Sequence, residues 1–148
     1  YLLGGEDADL AYRVLRQGWE PAFAERAVVY HEVRSQNAWE WLVEPQHVRW
    51  PMLVRRFPEL RRRFFLRYFM SWRRFLFAVA VLGLVAGLMV SPWCLLAGVP
   101  YAGHCVRLPS TVWKGPLRAL RVLVMLPRDA VGLALLVAGS VRYGRLVL

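Results

Sequence analysis

Gly4-Gly5-Glu6-Asp7-Ala8-Asp9-Leu10, followed by Arg13 and closed by Gly18-Trp19, is the stretch on which the reading of this chain turns. Two adjacent acids stand at the start of a short helix, directly after a Gly-Gly turn. The N-terminal turn of a helix carries partial positive charge and favours negative side chains there. Glycines at such a turn let another backbone or a ligand come close. That setting serves ordinary helix capping, and it equally suits a carboxylate acting as a general base. Helical spacing places Leu10, Ala11 and Val14 on one face, with Arg13, Arg16 and Gln17 on others. Gly18 fits the left-handed residue that ends the helix.

Residues 20–34 read as extended, with β-branched and aromatic side chains around Val28-Val29-Tyr30. Taken together, GGEDADLAYRVLRQGW and the later Ala27-Val28-Val29-Tyr30-His31-Glu32 resemble the end of the catalytic domain of family 2 glycosyltransferases. The shared features are a Glu-Asp pair, an Asp-Leu step, an arginine, a Gly-aromatic turn and a strand ending in an aromatic-His step. The resemblance implies an α/β fragment over residues 1–35, the end of a GT-A, Rossmann-like domain, followed by an all-α membrane-associated region. It implies an inverting transfer of sugar from a nucleotide-sugar donor, with Asp7 as the catalytic base. Glu6, Asp9 and Arg13 would orient the acceptor or support the site, and His31 would complete a metal site. The divalent cation, Mg²⁺ or Mn²⁺, would be held mainly by an Asp-x-Asp motif in a preceding segment. The chain is then expected to be the C-terminal part of a longer enzyme, inactive without the donor-binding half.

Composition adds the membrane. Hydrophobic residues make up 57 % of the chain and mean hydropathy is +0.33, too apolar for an ordinary soluble domain. The formal net charge is +10, from nineteen Arg and one Lys against ten acids. Nine of those arginines fall in residues 49–74 beside a single acid, Glu59. Residues 36–74 read as short basic helices divided by Pro45, Pro51 and Pro58. With Trp39, Trp41 and Trp50 among the arginines, this stretch suits lipid headgroups.

Residues 75–106 contain no Lys, Arg, Asp or Glu. Ser91-Pro92 divides the run, and its first half, at about 1.5 Å per residue, reaches only about 24 Å against a hydrocarbon core of ~30 Å. Basic residues flank both ends, which favours a hairpin that enters and returns over a single crossing. Residues 107–148 read as an amphipathic helical region, with Arg118, Arg121 and Arg128 opposite Leu120, Val124 and Leu126. Cys94 and Cys105 fit no zinc or redox spacing and read as inert thiols. His47 and His104 have no companion at ligand spacing and read as structural.

Two classes of function follow. The first is the glycosyltransferase, at the cell membrane with its catalytic part on the cytoplasmic side, where nucleotide sugars are made. Its partners would be the nucleotide-sugar donor, a lipid-linked acceptor and membrane lipids, with no nucleic acid expected. The second is a non-enzymatic membrane-anchored protein whose Arg-rich segment binds anionic lipid or nucleic acid. The Glu6-Asp7 pair with His31 separates them, since a lipid anchor has no use for it.

Overall fold

A computed structural model describes residues 5–30, 37–43, 45–109 and 114–148. Its helices are α1 (Glu6–Arg16), α2 (Ala38–Leu42), α3 (Trp50–Arg56), α4 (Trp72–Met89), α5 (Val99–Arg107) and α6 (Leu120–Tyr143). Tighter 3-10 turns at Pro45–Arg49, Pro58–Arg63, Pro92–Gly98 and Gly115–Ala119 join them. Prolines sit in the first turns of α3 and α5, where a missing N–H costs nothing. Pro51 therefore opens a helix instead of dividing two.

No strand occurs among the described residues, and this corrects the expected α/β, Rossmann-like fragment. Residues 20–30 are irregular, and Val28, Val29 and Tyr30 stand exposed. A strand exists only through hydrogen bonds to a neighbouring strand, and none of the described residues offers one to this segment. β-branched composition alone cannot make a ladder. The rest of the expected strand, His31 included, lies outside the described residues.

Two small cores organise the helices. In the first, Leu53, Val54 and Phe57 of α3 pack with Leu60, Leu136 of α6 and Val147. In the second, Leu76 and Phe77 of α4 meet Tyr101 and Cys105 of α5 and Met125 of α6. α6 thus runs from one core into the other. It touches the 3-10 turn before α3 so closely that a methyl group on Gly139 would collide with the Val48 carbonyl. Gly139→Ala is therefore expected to cost about 1–3 kcal/mol by forcing the two elements apart. Thermal unfolding in mild detergent measures it, and an unchanged midpoint would show the contact to be slack.

After α4 the chain reverses at Ser91 and returns alongside it. Gly83 makes this possible, because a Cβ there would lie 2.6 Å from Ala97 Cβ and 2.7 Å from the Cys94 carbonyl. Lower down, Phe77 stacks edge-on to Tyr101 with centroids 5.2 Å apart. Trp72 and Leu76 share a cavity with His104 and Arg107. Residues 72–107 therefore form a helical hairpin whose two ends lie together. At its tip Leu88, Met89, Val90 and Trp93 are each about 80 % exposed, an apolar surface that water does not favour. α4 and the continuous stretch Gly115–Tyr143 are long and apolar enough to cross a membrane, with mean hydropathies of 1.7 and 1.8.

Residues after α6 fold back. Gly144 takes the left-handed conformation that ends the helix, and Ser140 Oγ accepts from the Val147 amide at 2.9 Å. Leu148 then pairs with the 68–70 loop, donating to the Tyr68 carbonyl and accepting from the Met70 amide.

Candidate functional site

α1 begins at Gly5, whose φ of +93° lies in the left-handed region. A side chain there would be strained, and its Cβ would also press on Leu53 at 3.1 Å. Gly5 offers no side-chain cap, so three acids (Glu6, Asp7 and Asp9) populate the first turn instead. They do not share one fate. Asp9 is 2 % exposed and turned onto the helical body, where Arg56 donates to its Oδ1 at 2.7 Å. Arg13 Nε lies 3.1 Å from the other oxygen. Glu6 and Asp7 face outward, lining a shallow cavity of about 300 Å³ with Leu10 and Arg13.

The helix is pinned along its opposite side. Ala8 and Tyr12 pack on the first core, and Tyr12 lies 5.4 Å from the Phe57 ring. Arg16 makes a two-pronged pair with Glu59, at 2.9 and 3.0 Å, over the Phe57 ring. The hydrogen bond from Arg16 holds the Glu59 carboxyl below its usual range. Leu10 and Val14, which share one face of α1, are 55 % and 40 % exposed. Tyr12 and the arginine pairs hold the other side of the helix against α3 and the turn after it. The Glu6-Asp7 cavity therefore has an apolar neighbour, Leu10, instead of a solvated polar surround.

A second cluster, buried between the cores, escaped the sequence reading. Asp129 is fully buried, and its carboxylate lies 3.1 Å from Arg73 and 3.5 Å from Arg74. Tyr101 donates to it at 2.8 Å. Arg74 also donates to the Asp129 carbonyl and lies 3.1 Å from His47 Nε2. Gly132 leaves the space in which the Arg74 guanidinium sits. Four elements meet here, and the buried carboxylate is paired with cations on two sides and accepts from Tyr101, so that neither sign is buried alone. The cluster is a structural joint. Its members lie too far apart in sequence for spacing to reveal them.

Burial, with Arg74 and Arg73 nearby, lowers the His47 pKa to about 4, Asp129 opposing only in part. Folded His47 is thus neutral where the unfolded residue, near 6.5, already takes a proton. The unfolded state binds more protons between those values, so stability falls as pH drops from about 6.5 toward 4. The loss is expected to be about 2 kcal/mol, and His47→Gln should flatten that slope. Equal slopes between pH 7 and 5 in both proteins would show that His47 is not the source.

Among the described residues no group of three or more His, Cys, Asp or Glu could hold a metal ion. Cys94 and Cys105 are free thiols. No family model matches the chain, and neither a curated protein nor a solved structure matches it.

Proposed function

We propose that this chain belongs to an inverting glycosyltransferase working at the cytoplasmic face of the cell membrane, with Asp7 as the base. One observation carries the proposal. On a helix pinned by Asp9, Tyr12 and Arg16, Asp7 is left outward-facing in a cavity. A positioned carboxylate of this kind can take the proton from an acceptor hydroxyl. The oxygen then attacks the anomeric carbon of a nucleotide sugar, and the bond to the departing diphosphate breaks on the opposite side. Arg13, at the cavity's edge, suits a polar acceptor; Leu10 suits its apolar portion.

The membrane hairpin on the same body favours a lipid-linked acceptor. The exposed Leu10, Val14, Trp19 and Phe23 would be covered by the unit that carries the donor. Such a donor calls for Mg²⁺ or Mn²⁺ to neutralise its diphosphate. The described residues do not fit that ion, so no step here is assigned through it, and His31 stays a proposed ligand.

Membranes containing this chain together with its proposed donor-binding unit should transfer label from one of a panel of radioactive nucleotide sugars into the lipid extract, more than matched membranes lacking it. No transfer from any donor would sink the reading. Topology gives an independent check. Arg63→Cys and Lys114→Cys, each made without Cys94 and Cys105, should resist an impermeant thiol reagent in intact cells and react once the membrane is opened. Labelling of position 114 alone in intact cells would show a single crossing in place of a returning hairpin.

A further inference from the structure

Where the hairpin closes, Trp72 and Leu76 of α4 face Val99, Gly103, His104 and Arg107 of α5 around a cavity of about 370 Å³. This volume is in the lower part of the range for small-ligand sites. Its lining is apolar on one side and carries two hydrogen-bond donors on the other. His104 and Arg107 stand three residues apart on α5 and so share a face. Neither side chain makes a hydrogen bond or ion pair with any described residue. This sets Arg107 apart from Arg16, Arg56, Arg73 and Arg74, all of which are paired.

A helix C-terminus is ordinarily a poor place for an anion, because its carbonyls present negative charge. Here Arg121 donates to the carbonyl of the C-cap residue Leu108 at 2.7 Å and to that of Pro109 just beyond at 3.4 Å. Arg121 thereby brings positive charge to this helix end and satisfies one of its carbonyls, and Arg107 remains to attract a negative group. From Val99 an exposed apolar path continues through Leu96 and Leu95 to Trp93 at the tip, with Val99 and Leu96 each 60 % exposed. The cavity therefore joins a cationic end to a dry path, the shape of a phosphate attached to a hydrocarbon chain. A tryptophan at the junction is the side chain expected at headgroup depth.

We propose that this cavity seats one membrane phospholipid, its headgroup phosphate held by Arg107 and His104 and an acyl chain lying over Val99, Leu96 and Leu95. The assignment rests on the hairpin alone and does not depend on sugar transfer. It gives the hairpin a fixed depth in the bilayer, since the phosphate stays at headgroup level while the tip enters the hydrocarbon.

Native mass spectrometry of the full chain in neutral detergent, titrated with dioleoylphosphatidylglycerol, tests this directly. One bound lipid per chain is expected, with occupancy at least about tenfold weaker in R107Q/H104Q and unchanged in R62Q/R63Q. Gly103→Leu should abolish binding with the fold intact, because a Cβ at Gly103 meets nothing within 4 Å and a leucine would fill the cavity. That variant keeps the test sharp if R107Q/H104Q fails to fold. Equal losses in R62Q/R63Q would reveal diffuse attraction to basic charge and overturn the site. Equal binding of a glycosyl diacylglycerol lacking phosphate would overturn the role of the two donors. Displacement by glycerol phosphate at equal concentration would show a site for free phosphate, and would overturn the lipid.

Discussion

Asp129→Ala is expected to lose about 3–5 kcal/mol of folding stability, more than any other single change considered for this chain. The carboxylate is fully buried between Arg73, Arg74 and Tyr101. Deleting it leaves two guanidinium groups without their counter-charge, and one of them, Arg74, is only 4 % exposed. The penalty comes from the stranded cations more than from the lost attraction. Removing both signs together should therefore recover much of the loss, and Asp129→Leu with Arg74→Met should be more stable than Asp129→Ala. Thermal unfolding in detergent, followed by tryptophan fluorescence, gives the comparison. A drop of less than about 1 kcal/mol for Asp129→Ala would mean that water reaches the cluster and screens it.

On the proposed role of Asp7 as base, Asp7→Asn should lower turnover at least about 10²-fold in the complete enzyme, the usual range for removing a general base. At 1.36 kcal/mol per factor of ten this is about 2.7 kcal/mol of barrier. Donor binding and stability should hardly change, because the Asp7 side chain is exposed and asparagine keeps its shape. Asp9→Asn makes the contrast. Asp9 is buried against Arg56, so its loss should loosen α1 and reduce stability together with activity. Near-normal turnover in Asp7→Asn would remove it from the role of base and, with it, the main support for sugar transfer.

The residues that punctuate this fold were legible one at a time. Gly18, with φ of +87°, ends α1 where its sequence placed the stop. Ser91-Pro92 interrupts the charge-free run where the chain reverses. Glu6 and Asp7 could be placed in the first turn of a helix from their neighbours alone. Which acid would face outward was not legible, because it depends on Arg56, 47 positions away. The orientation of α1 has the same origin: its apolar stripe of Leu10 and Val14 stands exposed, because the partners supplied by Phe57 and Glu59 hold the other face inward. Val28-Val29-Tyr30 misled because strand composition was taken for a strand, while pairing depends on another segment. Asp129 and Arg74, 55 residues apart, gave no local sign of belonging together.

The junction of Leu136, Val147 and Leu148 with residues 53–70 sets an order of assembly. During synthesis, residues 72–107 leave the ribosome before α6 does. Leu53, Val54 and Phe57 then lack Leu136 and Val147, two of the partners that later bury them. On the membrane reading proposed above, the hairpin is at that stage free to meet the bilayer without a finished basic domain at its base. Once residues 136–148 arrive, they close over α3 and the loop that leads into α4, so the hairpin is tied at its root by a segment made after it. A released chain truncated near residue 130 should therefore, on that reading, pellet with membranes while its α3 remains open to protease.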